Sequence, residues 1–220
     1  MSPAMIDLLW QGLLETLQMV GISGLLATLL GVPLGVLLVV TGPGHILPHR
    51  TVNAVVGVIS NIVRSTPFII LLVAIIPVTR LIVGTSIGTA AAIVPLTLAA
   101  IPFVGRLTEA ALREVDAGLI EAAQAMGATP LQIVVKVLLP EALSSVVAGL
   151  TITIVSLINY SAMAGAVGGG GLGDIGIRYG YQRFLPEVMI TVIVILIILV
   201  QAVQTVGDRL ARRLNKRVKG

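Results

Sequence analysis

Residues of the types that do chemistry are few in this chain and fall in four places. His45 and His49 stand four apart, a spacing that can put two imidazoles on one helix face around a metal. Pro48 lies between them and no glutamate follows His45, as a zinc protease would need. The pair and Arg50 therefore read as a short solvated loop. The run Gly168 to Gly173, GGGGLG, formally contains G-x-G-x-x-G. A dinucleotide fingerprint needs a strand before it and an amphipathic helix after it. Here a long apolar stretch precedes it, so the run reads as a flexible glycine turn. No G-x-x-x-x-G-K-S/T motif occurs, so the chain has no visible ATP site of its own. Arg64-Ser65-Thr66-Pro67 interrupts the second apolar region. An arginine inside a membrane span is costly and marks a functional site. A span beginning near Ser65 would instead leave Arg64 at the interface with its head in water. Both readings stay open. The fourth place holds Asn159, Tyr160, Ser161 and Met163. Polar groups in an apolar helix must face protein or water, so these residues either line a path or bond neighbouring helices. Met163 is flexible enough to close a narrow pore, and equally suited to ordinary packing.

The elements that position these residues are set by composition. Of 220 residues, 56% are hydrophobic and 11% charged, with mean hydropathy +1.06. Soluble domains carry about 25% charged residues, so lipid is the solvent of this chain. Its apolar runs reach the ~20 residues that cross a bilayer as a helix, and they are continuous rather than alternating, which argues against a β-barrel. The expectation is an all-α membrane protein with five spans, at about 13–40, 52–78, 87–104, 143–167 and 187–206. Residues 1–11 form a short interfacial helix in this reading. Gly31 and Gly35 make a small-xxx-small pair for close helix packing. Pro95 and Pro102 bend the third span. Trp10, Tyr179 and Tyr181 are candidates for a thin aromatic belt. There is no cysteine, hence no disulfide and no thiolate metal site. Asp7 and Glu15 lie where the basic region of a signal peptide would be.

Between the third and fourth spans, about 106–140, lies the one long polar interruption. Its core, Glu121 to Pro140, reads EAAQAMGATPLQIVVKVLLP. Asp116 can cap a first short helix, and Gly127 suits the left-handed position where a helix stops. Thr129 and Pro130 then form an N-cap and first helical residue. Leu131, Val134, Val135 and Leu138 continue with helical spacing. Pro140 closes the segment and opens the next helix. The product is a compact helical knob held out in water.

Glu121-Ala122-Ala123, Gly127 four residues later, and the terminal Leu139-Pro140 resemble the EAA loop of ABC importer permeases. The run Ala164 to Phe184, AGAVGGGGLGDIGIRYGYQRF, resembles the matching segment of methionine importer permeases, whereas betaine-type relatives share GGGGLG but less of the run from Asp174 onward. The segment Arg64-Ser65-Thr66-Pro67 resembles the RGTP of amino-acid-type permeases, with serine for glycine. The resemblance implies one transmembrane domain over the whole chain and a methionine cargo, L- and possibly D-. It implies a homodimer with a pathway on its twofold axis, two copies of a cytoplasmic ATPase that hold the ATP and magnesium, and a periplasmic or lipid-anchored methionine-binding protein. No cofactor and no catalysis are implied for this chain. Glu121, Ala122, Ala123, Gly127 and Pro140 would then couple to the ATPase, while Arg64, Ser65, Thr66, Asn159, Tyr160, Ser161 and Met163 would line or gate the pathway.

Charge agrees with that placement. A cytoplasmic C-terminus leaves ten basic residues inside (Arg50, Arg106, Arg113, Lys136, Arg209, Arg212, Arg213, Lys216, Arg217 and Lys219) and only Arg80, Arg178 and Arg183 outside, with Arg64 unassigned. The positive-inside rule favours this orientation in a bacterial inner membrane, with the N-terminus outside. The basic tail is a topology signal rather than a nucleic-acid site. Three rivals make other demands. An intramembrane enzyme needs an acid, base, nucleophile or metal constellation, and none is visible. A self-sufficient channel or ion-driven carrier needs ionisable groups in several spans, and Arg64 alone qualifies. The same architecture carrying another amino acid or a betaine would be told apart by the ligand of the binding protein.

Overall fold

The computed structural model describes residues 3–215, and among them the chain is helical without strands. Lys216, Arg217 and Lys219 of the basic tail lie outside the described residues. The helices are α1 (Pro3–Val40), α2 (Arg50–Ser65), α3 (Phe68–Ala74), α4 (Ile76–Val83), α5 (Thr89–Arg113) and α6 (Ala117–Ala125). They continue with α7 (Pro130–Ile133), α8 (Leu139–Ala166), α9 (Gly171–Ile175) and α10 (Pro186–Leu214). Among the described residues, four helical stretches are long and apolar enough to cross a bilayer, and the bent pair α2–α3 makes a fifth when counted as one span.

The first helix departs from expectation at its start. No separate interfacial helix precedes it, because α1 runs unbroken for 38 residues. The apolar residues Leu8, Leu9 and Leu13 pack on α9 and α10 and extend the helix outward. Its other end lies on α5, its main partner. A Cβ on Gly31 would come within 2.6 Å of Val104 Cβ, and one on Gly35 within 2.6 Å of Thr108 Cβ. The small-residue pair therefore lets two backbones meet, as its spacing implies.

The region expected as one span at about 52–78 is three helices. Thr66 is extended (φ −82, ψ 124), as a residue before proline prefers, and Pro67 then starts α3 at 103° to α2. The segment still climbs from end to end: Asn53 meets Thr41 at the α1 C-terminus, while Thr79 and Ser86 share a cavity with Gly169 near the opposite end.

The third helix also outruns its expected limit. It continues past Arg106 to Arg113, because Val104, Thr108, Ala111 and Leu112 remain buried on its inner face. The loop thus begins after Arg113 rather than at Arg106. At its other end Pro140 lies in the first turn of α8, as expected, but no break separates that helix from α7. Pro130 to Ala166 is one 37-residue stretch with a π turn over Val134–Leu138. Within it the Leu139 N–H donates to the Val134 carbonyl, five residues back. The wider turn accommodates a proline that has no N–H to give and whose ring would crowd a regular helix.

Candidate functional site

The knob is built from local signals. The Asp116 carboxylate accepts a hydrogen bond from the Gly118 N–H at 2.7 Å and starts α6. At the other end Gly127 is left-handed, φ 78. Its N–H donates to the Gln124 carbonyl at 2.9 Å, and that of Ala128 to Ala123 at 3.0 Å, the paired closure of a Schellman motif. Thr129 and Gln132 then form a reciprocal capping box ahead of Pro130. Two helices are thereby fixed across a short turn.

The exposed side of this knob presents Glu121, Ala122, Met126, Gly127 and Leu131, with Met126 81% and Leu131 72% exposed. Ala123 points the other way and packs with Ile133 and Leu138 in the core beneath. It supports the surface rather than forming it. Pro140 is half-buried at the base of the knob, so its place is at the root. Between the knob and the α1–α2 turn lies a cavity of about 330 Å³, lined by His45, Ile46, Arg113, Glu121 and Gln124 among others. Burial, and secondarily the Arg113 guanidinium, hold the His45 imidazole below its ordinary value of 6.5. The His49 Nδ1 accepts from the Val52 N–H and caps α2, which assigns it a local task away from His45.

The pathway candidates separate into two groups. Asn159 and Met163, one turn apart on α8, are both exposed. Asn159 lines a groove of about 220 Å³ with Ala162 of α8 and Ile197 and Gln201 of α10. Ser161, by contrast, is 1% exposed and its hydroxyl donates to the Ile158 carbonyl. It faces the interior of the subunit, a correction to its expected place on the path, because residues two apart on a helix lie on opposite sides. Tyr160 is half-buried, its ring stacked on Phe68 of α3 at 4.7 Å. That stack ties α3 to α8 just past the bend. Arg64 and Ser65 lie exposed in the last turn of α2, next to the bend, and Arg64 has no ion pair among the described residues. The Thr66 hydroxyl donates to the Ile62 carbonyl.

Two polar clusters are not apparent from the sequence. Glu109 is buried and accepts from Arg106 and Arg113 on its own helix. The i−3 and i+4 spacing was available as a signal. The glycine turn, expected to be flexible, is pinned. The Glu15 carboxylate accepts from the Gly171 N–H at 2.6 Å and the Thr16 hydroxyl from the Leu172 N–H at 3.0 Å. Gly168, Gly170 and Gly171 all take positive φ there. An acidic residue within an apolar helix was the available hint.

A long polar knob on a bundle of membrane helices has close parallels among known proteins. Residues 31–220 match the family of binding-protein-dependent transport system inner membrane components. The chain belongs to this family. Among its relatives within that family, a probable D-methionine transport system permease protein MetI of Vibrio cholerae is 57% identical over 211 residues, covering 96% of this chain and 94% of the relative. The corresponding protein of Pasteurella multocida is 51% identical, covering 99% and 100%. The fold matches a chain of the inward-facing MetNI methionine ABC transporter with TM-score 0.96 at 56% identity, over 97% of this chain and 99% of that one. A chain of an amino acid ABC transporter crystallised with histidines shares the fold alone, with TM-score 0.78 at 20% identity over 94% of both chains.

Proposed function

We propose that this chain is the transmembrane permease subunit of an ATP-driven ABC importer of methionine, taking the L- and D-forms. The observation that carries this is the likeness along nearly the whole chain, in sequence and in fold, to D-methionine transport system permeases and to a chain of the MetNI methionine ABC transporter. The chain works as a homodimer with the pathway on its twofold axis. Each copy seats one cytoplasmic ATPase on the knob of α6 and α7, through Glu121, Ala122 and Gly127 with Ala123 and Pro140 beneath them. ATP and magnesium belong to that partner. A periplasmic or lipid-anchored binding protein delivers methionine to the face that holds the glycine turn. The knob faces the cytoplasm, consistent with the basic residues gathered at that end.

Mechanically, the chain contributes two conformations of different stability rather than chemistry. ATPase closure draws the two knobs together, and the state that opens outward is favoured to the extent that the ATPase binds it better. The bent α2–α3 segment and the Asn159–Met163 face of α8 shape the path between the two states, with Arg64, Ser65 and Thr66 at its bend. The decisive experiment is uptake of labelled methionine into proteoliposomes holding the permease, its ATPase and its binding protein, with ATP inside. Uptake requiring all three components and ATP is expected, with unlabelled L- and D-methionine both competing. Uptake without the ATPase would make the chain a self-sufficient carrier. ATP hydrolysis stimulated by the binding protein, with methionine left outside, would keep the architecture and reject the cargo.

A further inference from the structure

Helix α2 is attached to its own subunit in an unusual way. Only Ser60 among its sixteen residues is buried, whereas α1 and α5 are interleaved along their length. Side-chain hydrogen bonds fasten α2 at two points, eight residues apart. At its start the Asn53 amide donates to the Leu38 carbonyl at 2.6 Å and to the Thr41 hydroxyl at 3.1 Å. Near its end the Asn61 side-chain oxygen accepts from Arg106 Nη2 at 3.1 Å. The second point leads straight into the buried cluster on α5. Arg106 also pairs with Glu109, and Glu109 binds Arg113 through both Nε and Nη2, at 3.2 and 2.9 Å. Arg113 is the last residue of α5, three before the Asp116 cap of α6. A continuous polar chain thus runs from the root of the knob to α2, arriving one turn before Arg64 and the bend at Thr66-Pro67.

We infer that Glu109, gripping Arg106 and Arg113, is a positioning residue that passes knob displacement to α2 through the Arg106–Asn61 hydrogen bond. A buried carboxylate cannot be left unpaired without heavy cost, so Glu109 keeps both arginines when α5 shifts. Arg106 then carries Asn61 with it. Among the described residues, α2 contributes none to the buried apolar clusters that hold the other helices. The inference rests on the coupling reading of the knob.

Asn61 is exposed, so it can be changed without opening a cavity. Asn61→Leu keeps the size and removes the acceptor, whereas Asn61→Asp keeps the acceptor. In the full reconstituted assembly, methionine imported per ATP hydrolysed is expected to fall about tenfold in Asn61→Leu, as for loss of a hydrogen bond to a charged group, and to return to within about twofold of wild type in Asn61→Asp. A merely structural or steric role would not separate the two variants in that direction. Normal coupling in Asn61→Leu, or equal loss in both, would overturn the relay while the importer reading stands on the wild-type uptake. Absence of ATP-dependent uptake in the wild type would instead remove the importer reading and the relay with it.

Discussion

Helices α1 and α5 lie side by side with their backbones nearly touching, while α2 is fastened near its two ends by the side-chain hydrogen bonds of two asparagines. The first contact is steric. Its Gly31 and Gly35 admit no other residue without moving backbone or a branched side chain. The second is polar and sparse. A permease must keep one part rigid and let another change position, and the two kinds of contact divide the subunit along that line. Close packing stores no alternative arrangement, whereas a hydrogen bond at an exposed edge is broken and remade at small net cost.

The largest effect that would break this contrast is expected at the rigid contact. Gly35→Leu drives a side chain into Thr108 and the Gly105 carbonyl. Overpacking of this kind costs about 1–3 kcal/mol or more, and the purified subunit is expected to melt markedly lower or fail to assemble. Gly21 provides the control, since a Cβ there meets nothing within 4 Å. Gly21→Ala is expected to melt at or slightly above wild type, because alanine favours the helix by about 1 kcal/mol. Equal melting of the two variants would deny the α1–α5 contact its special role. A smaller effect sharpens the other side. Asn53→Ala removes the first fastening of α2, worth about 1 kcal/mol. Hydrogen exchange over 50–65 is expected to quicken while that of α1 and α5 stays unchanged. Faster exchange throughout would mean that α2 is integral to the rigid part.

Legibility in the sequence divides in the same way, between local and distant causes. Asp116, Gly127, Thr129 and Pro130 act within four residues of themselves, so the caps and the turn of the knob could be read one by one. The Gly31–Gly35 pair was legible because its spacing needs only one helix to interpret. The bend at Thr66-Pro67 was signalled by the proline, but the apolar run on both sides masked it. Pro140 marks the start of α8, as a proline often does, but the π turn that joins α8 to α7 leaves no sign in the sequence. Ser161 stands two residues from Asn159, and the helix turns them to opposite sides. The Glu15–Gly171 pin joins residues 156 apart, and the Asn61–Arg106 bond joins residues 45 apart. Nothing local announces either partner.

Conversion of ATPase motion into transport by the α6–α7 knob is the central claim. Gly127 tests it most directly, because its left-handed backbone holds the knob together while a Cβ there meets no neighbour. Gly127→Leu, which a positive φ disfavours, should leave membrane insertion intact and ATP hydrolysis running. Methionine imported per ATP hydrolysed is then predicted to fall by about tenfold or more. Import per ATP equal to wild type in that variant would contradict the coupling role of the knob.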